Sequence, residues 1–122
     1  MTFSMWTPIS LTELEEWISR GELELEGEPL NFWNMIKIPP QKWQEVEYGE
    51  DDGFWVVAIF GNEVIFYNDI EDGFNISPYS IYGQISEYAC EQAELNWIVE
   101  RLYNSLKRNI QLCRTFIEKI AK

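Results

Sequence analysis

The chain has 122 residues, of which 46% are hydrophobic and 16% aromatic, and its formal net charge at pH 7 is −12. This composition excludes a disordered chain and predicts one domain over residues 1–122 that needs neither a metal nor a disulfide to fold. Because no apolar run approaches the roughly 20 residues of a membrane span and the N-terminus has no secretory signal, we expect a cytoplasmic protein without membrane contact.

The first predicted element is a short amphipathic helix over residues 11–20. Ser10 and Glu13 have the spacing of a capping box, in which each side chain satisfies a backbone N–H at the helix start. The apolar residues that follow recur at helical spacing: Leu11, Leu14, Trp17 and Ile18. Gly21 occupies a position where helices commonly end, so we expect the helix to stop there.

Residues 22–38 are predicted to form two strands. Glutamate and leucine alternate over residues 22–26, which is the period of a strand with one face in water. The stretch "LNFWNMIKI" is predicted as the second strand, and the two prolines that follow it are expected to end it. Residues 41–53 show no clear period, so we predict a loop with at most one helical turn around Trp43.

The clearest pattern is a β-hairpin at residues 54–68. "FWVVAIF" and "EVIFYN" are rich in β-branched and aromatic residues, and Gly61 and Asn62 between them suit a two-residue turn. The register that this turn imposes pairs the strands without a break: Phe60 with Glu63, Ile59 with Val64, Ala58 with Ile65, Val57 with Phe66, Val56 with Tyr67 and Trp55 with Asn68. Because both faces are largely apolar, these strands should be central and covered on both sides.

The C-terminal part is predicted to be mainly helical. Ser77 and Pro78 suit the start of a single helical turn that Gly83 ends. From Ile85 onward the chain has neither proline nor glycine, and a heptad frame fits it. The positions of that frame are Ile85, Tyr88, Gln92, Leu95, Val99, Leu102, Leu106, Asn109, Cys113, Phe116 and Ile120. On a straight helix Cys90 and Cys113 would lie some 35 Å apart, so we expect free thiols, buried in the core.

The length of this predicted helix leaves two alternatives for its end. Unbroken, it would extend about 55 Å, against a diameter of about 30 to 35 Å for a compact domain of this size. Either it turns back near residues 104–109, or residues 107–122 project as a helical extension that pairs with another chain. The oligomer contacts expected in the second case are Cys113, Phe116, Ile117 and Ile120.

Together these elements predict an α+β fold. We expect an antiparallel sheet of about four strands centred on residues 54–68, a short N-terminal helix and a long C-terminal helix across one face.

Catalytic and metal-binding chemistry finds little support in the residue types. The chain has no histidine, which removes the commonest metal ligand and the commonest general base. The acidic turn "YNDIEDGFN" does not fit a calcium-binding loop, because Ile70 would occupy a ligand position and the closing glutamate is missing. We therefore expect no cofactor and no metal, and a carboxylate-based enzyme ranks only third among the functions considered.

The charge is distributed unevenly along the chain. Residues 1–99 hold 19 acids and three bases, a balance of −16, whereas residues 100–122 hold two acids and six bases, a balance of +4. An acidic body repels phosphate, so we expect no nucleic-acid partner. The acids have three interpretations: they keep the protein soluble, they attract a basic protein partner, or they mimic the phosphates of DNA.

Aromatic residues beside acidic segments are the candidate contacts with such a partner. The residues selected on this basis are Trp43, Tyr48, Asp51, Asp52, Asp69, Glu71, Asp72 and Trp97. They favour a non-catalytic protein–protein interaction module of the inhibitor, immunity or regulatory type. The alternative is a structural or assembly protein that forms a homodimer through its C-terminal helix.

Overall fold

A computed structural model describes residues 7–45 and 53–120. In chain order the elements are α1 (Leu11–Leu23), α2 (Gly27–Ile36), β1 (Lys37–Glu45), β2 (Phe54–Phe60), β3 (Glu63–Asn68), β4 (Gly73–Pro78), β5 (Gln84–Ile85) and α3 (Leu95–Ile120). The predicted α+β class is confirmed, with helices at the N-terminus and a long helix at the C-terminus. Within these residues the sheet has five strands in the order β4-β3-β2-β1-β5, and it is mixed rather than purely antiparallel because β5 runs parallel to β1.

Helix α1 begins as predicted and ends later than predicted. The Ser10 hydroxyl accepts a hydrogen bond from the backbone N–H of Glu13 at 3.2 Å, which caps the first turn. The helix continues through Gly21 to Leu23, so Gly21 does not end it. A Cβ at Gly21 would lie 2.6 Å from the Cβ of Leu95, and this glycine therefore allows α1 to approach α3 closely.

The two strands predicted over residues 22–38 are wrong, because most of this segment is helical. Phe32, Trp33 and Ile36 are buried on one face of α2 at helical spacing, which outweighs the alternation seen just before them. Pro29 lies in the first turn of α2. Backbone N–H groups in a first turn have no intrahelical acceptor, so the N–H that proline lacks costs no hydrogen bond. The indole N–H of Trp33 also donates to a Glu22 carboxylate oxygen at 2.8 Å and ties α2 to the end of α1.

Strand β1 overturns the prediction that the prolines end a strand and that a loop follows. Both prolines lie inside β1, between Lys37 and Gln41, where the pairing with β2 shifts register. A bulge of this kind tolerates proline because the ladder makes no regular hydrogen bonds there. Trp43 pairs with Phe54 in the sheet, so the helical turn expected around it is also wrong. Residues 46–52 lie outside the described residues.

The predicted hairpin of β2 and β3 is confirmed, with one correction to its register. Near the turn three pairs match the prediction: Phe60 with Glu63, Ile59 with Val64 and Ala58 with Ile65. A bulge at Val57 then shifts the pairing, so that Val56 rather than Val57 faces Phe66. The unbroken register was wrong because a two-residue turn determines only the pairs beside it.

Apolar clusters cover both faces of this hairpin, as its two apolar faces predict. On one face, side chains of the three helices, among them Trp33 of α2, pack in one cluster with Val57 and Ile65 of the hairpin. On the other face a smaller cluster surrounds Trp43 and Phe66. The hairpin therefore lies in the middle of the molecule.

The segment after β3 is less helical than predicted. Ser77 and Pro78 end strand β4 and do not start a helical turn. Helix α3 begins at Leu95 rather than at Ile85, and Cys90 lies in the irregular segment before it. Both cysteines are free as expected, but both are exposed, so their predicted burial is wrong.

Helix α3 is one continuous helix of 26 residues, about 39 Å long. Its first half packs on the body through Leu95, Ile98, Val99 and Leu102. Every residue over 107–120 is exposed. None of the helices in residues 7–45 and 53–120 combines the length and the apolar character needed to cross a bilayer.

Candidate functional site

A cleft of about 770 Å³ opens between α1, the acidic turn after β3 and the segment that leads into α3. Among the described residues, five acidic side chains and one basic side chain line it: Glu13, Glu24, Asp69, Asp72, Glu94 and Arg20. Aromatic rings form part of its wall: Trp17, Tyr67 and Phe74. We call this feature the acidic cleft.

The acidic turn at residues 69–72 is built around the buried side chain of Asn68. The Asn68 amide oxygen accepts hydrogen bonds from the backbone N–H groups of Ile70 at 2.9 Å and Glu71 at 3.2 Å. Asp72 adopts a left-handed conformation with φ of 58°, which aspartate tolerates better than most residues. Turn geometry thus places Asp69 and Asp72 at the edge of the acidic cleft.

A second buried asparagine positions the opposite wall of the cleft. The Asn75 amide oxygen accepts from the Glu91 backbone N–H at 2.7 Å, and its amide nitrogen donates to the Glu91 carbonyl at 3.1 Å. The Phe74 N–H donates to the Ala93 carbonyl at 2.9 Å and continues this contact. Because these bonds satisfy backbone groups of Glu91 and Ala93, residues 91–93 lie firmly against β4.

Asp69 contributes mainly to the structure of the cleft. It is only 8% exposed, and one of its carboxylate oxygens accepts a hydrogen bond from the Ile9 N–H at 2.7 Å. The Ile9 carbonyl in turn accepts from the indole N–H of Trp55 at 3.2 Å. These two bonds hold the chain before α1 along the edge of the cleft.

The electrostatic character of the cleft is visible at Tyr67. The pKa of its phenol is raised to about 12, first by burial and then by the negative charges of Asp72, Asp69 and Glu13 and a hydrogen bond to Asp72. All these causes disfavour the phenolate, so Tyr67 is a neutral hydrogen-bond donor at physiological pH. The cleft therefore favours positive charge.

A cation already lies on the aromatic wall of this cleft. The guanidinium carbon of Arg20 is 4.7 Å from the centroid of the Trp17 ring. Trp17 is 43% exposed, so part of its side chain is accessible from solvent. An indole that holds a guanidinium beside several carboxylates forms the type of site that binds basic side chains.

Tyr67 offers a direct test of this electrostatic description. Difference titration of tyrosinate absorbance between the wild type and Tyr67→Phe should show one phenol that ionises near pH 12 rather than near 10. Since the folded pKa exceeds the unfolded value, the stabilisation is complete below pH 10 and is lost as the pH rises from 10 to 12. Tyr67→Phe should lose this part of the pH dependence of unfolding, and a difference titration centred near 10 would contradict the description.

The structure brings together only part of the partner-contact set selected from the sequence. Asp69 and Asp72 line the acidic cleft, and Glu71 lies between them in the same turn, half-buried. Trp97 is 60% exposed on α3, beside Arg101 and Asn104, and does not line this cleft.

Trp43 is corrected from a surface anchor to a core residue, because it is 1% exposed inside the second apolar cluster. Tyr48, Asp51 and Asp52 lie outside the described residues. The four expected oligomer contacts, Cys113, Phe116, Ile117 and Ile120, are all exposed on α3.

The sequence interpretation missed three residues that define the cleft. The sequence pattern places Trp17 on the apolar stripe of α1, Glu13 in the capping box and Tyr67 in the hairpin, and it indicates no shared site. The one available signal was Trp17, because an indole one turn before Arg20 on a helix can stack with its guanidinium. The convergence of Glu13 with Asp72 depends on contacts between distant parts of the chain.

In the part of the chain that the structure describes, no group of three or more cysteine, aspartate or glutamate side chains could hold a metal ion.

Comparison with protein-family models found no matching family, and searches of curated proteins and of solved structures found no match. The acidic cleft is therefore interpreted from its own geometry.

Proposed function

We propose that this protein is a non-catalytic protein–protein interaction module whose acidic cleft binds a basic segment of a partner protein. The observation that carries the proposal is the guanidinium of Arg20 stacked on Trp17 inside a cleft lined by five carboxylates. An arginine or lysine side chain of a partner would occupy the same environment. The charge of the body would also speed the encounter with such a partner.

The dimensions of the cleft support recognition of a short segment. Its volume of about 770 Å³ lies in the range of pockets that enclose most of a small ligand. It accommodates one or two long basic side chains, with the apolar stems against Trp17 and Phe74 and the charged ends near the carboxylates. Tyr67 remains protonated there and acts as a hydrogen-bond donor to Asp72.

The proposal is tested with a fluorescently labelled, arginine-rich peptide at moderate salt, measured by anisotropy. The double variant Glu13→Gln, Asp72→Asn removes two cleft charges with little change in shape. The matched control Glu15→Gln, Glu16→Gln removes two exposed charges of α1 that lie outside the cleft. We expect the cleft variant to weaken binding by about tenfold or more, and the control to weaken it by less than about threefold.

Two results would contradict the proposal. Equal weakening by both double variants would mean that the peptide responds only to net charge. Absence of binding to the wild type at low salt would mean that the cleft does not recognise basic side chains. Thermal unfolding of each variant, measured alongside, keeps a loss of binding separate from a loss of fold.

A further inference from the structure

The second half of α3 carries an apolar stripe that the body leaves uncovered. We call residues 107–120 the α3 tail. The large apolar side chains exposed on it are Ile110 at 45%, Leu112 at 68%, Phe116 at 64%, Ile117 at 63% and Ile120 at 66%. With Cys113, all but Leu112 extend the same three-and-four spacing as Val99 and Leu102, whose side chains are buried against the body. The stripe that packs α3 on its own body therefore continues beyond it.

A helix of this length is marginal without tertiary contacts. The α3 tail has about 14 residues, and isolated helices of that length gain little stability from propensity alone. Most helical stability in proteins comes from packing of the apolar face. The uncovered stripe of the α3 tail is thus an interaction surface.

The net charge of the α3 tail indicates which partner covers this surface. The α3 tail contains four bases and one acid, a balance of +3, whereas residues 1–99 have a balance of −16. A partner that offers both an apolar helix face and nearby negative charge is a second copy of the same chain. An anionic lipid surface offers negative charge too, but it would repel the acidic body that carries the tail.

We propose that the α3 tails of two copies pair antiparallel about a two-fold axis and form a homodimer, a role beyond the proposed binding of a basic partner. The three-and-four spacing then forms regular layers: Leu106 opposite Ile117, Ile110 opposite Cys113, and Tyr103 opposite Ile120. The last layer places the tip of each tail beside Tyr103 of the other copy. This tyrosine is half-buried at the edge of its own body. The stripe therefore ends where the partner's body begins.

The antiparallel direction follows from the acidic bodies. A parallel pair would place two bodies of strongly negative charge side by side at the same end of the helices. An antiparallel pair puts them at opposite ends, separated by roughly the 21 Å of the paired tails, which exceeds the Debye length of about 8 Å at physiological ionic strength. The basic residues of each tail then approach the acidic body of the other copy, including Glu28, which accepts a hydrogen bond from the Tyr103 hydroxyl.

Light scattering on the full chain across a concentration series tests the pairing. The wild type should have the mass of a dimer, and Ile117→Asp should raise the dissociation constant by about a hundredfold or more because it buries a charge in the apolar layer. The matched control Gln111→Asp introduces the same side chain on the opposite face of the tail and should remain dimeric. Because both positions are exposed, thermal unfolding should show an intact body in each variant.

Cross-linking tests the direction of pairing. Two single-cysteine chains, Leu106→Cys and Ile117→Cys, are made with Cys90→Ser and Cys113→Ser and treated with a short bismaleimide. Antiparallel pairing should link the two chains to each other when they are mixed, because each new thiol faces the other. Links of each chain only to itself would indicate a parallel pair and overturn the proposal, since like positions in the antiparallel pair are about 16 Å apart along the axis.

Three further outcomes would also overturn it. The first is a monomeric mass at every concentration. The second is a dimer that Ile117→Asp leaves unchanged, because the α3 tail would then lie outside the interface. The third is a monomer that binds phosphatidylserine vesicles through its α3 tail, which would assign the stripe to a membrane surface.

Discussion

Replacement of Trp43 by alanine is expected to lower the free energy of unfolding by about 3–5 kcal/mol, the cost of removing a large buried aromatic side chain. Trp43 is 1% exposed and lies at the centre of the smaller apolar cluster. The rings of Tyr79 and Tyr82 lie 5.2 Å and 4.8 Å from its ring centroid. Their packing would be lost together with the buried area of the indole.

Trp97→Ala is the matched control for this prediction. The same side chain is removed from a position that is 60% exposed, so the expected change in unfolding free energy is less than about 1 kcal/mol. Urea unfolding followed by circular dichroism measures both variants. Equal losses for the two would contradict the placement of Trp43 in the core. The contrast also means that lost binding in a Trp43 variant would report damage to the fold, not the loss of a contact.

Gly73→Ala is expected to destabilise the protein by about 3 kcal/mol through overpacking against backbone. A Cβ at this position would lie 2.3 Å from the Glu91 carbonyl oxygen and 2.5 Å from the Cα of Gln92. Neither atom belongs to a flexible side chain, so either β4 or residues 91–93 must move. Because this contact forms one wall of the acidic cleft, the variant should also weaken binding of the arginine-rich peptide.

The control for Gly73→Ala separates steric overlap from backbone conformation. Gly61 in the hairpin turn has a φ of 59°, and a Cβ there would meet nothing within 4 Å. Gly61→Ala therefore carries only the conformational cost of a left-handed residue, about 1 kcal/mol. Chemical denaturation of both variants makes the comparison. If Gly73→Ala is no more destabilising than Gly61→Ala, the segment before α3 does not pack against β4 as described.

The elements predicted correctly are those specified by neighbouring residues. Ser10 caps α1 because its hydroxyl reaches an N–H only three residues away. Gly61 and Asn62 form a tight turn because the chain must reverse between two apolar runs, and the pairs beside the turn follow from it. The register failed from Val57 onward, several residues from the turn, because a bulge there shifts every pair beyond it by one residue.

The elements predicted wrongly are those whose local pattern fits two structures. Residues 22–26 alternate like a strand, yet they form the end of α1 and the connection to α2. What selects the helix is the burial of Trp33 on the sheet and the hydrogen bond from its indole to Glu22. The C-terminal helix starts later than predicted for a similar reason, because the backbone carbonyls of Ala89 and Glu91 accept hydrogen bonds from the side-chain amides of Asn68 and Asn75.

In the acidic cleft, the turn and its hairpin are predictable from the sequence, since both depend on contacts within a few residues. That Glu13 and Trp17 line the same cleft as this turn is not predictable in this way, because the two segments are more than 50 residues apart in the chain and meet only through the packing of the helices. The same distinction applies to α3. The apolar stripe of α3 is visible in the sequence. How much of this stripe the body covers depends on where the sheet and the other helices end.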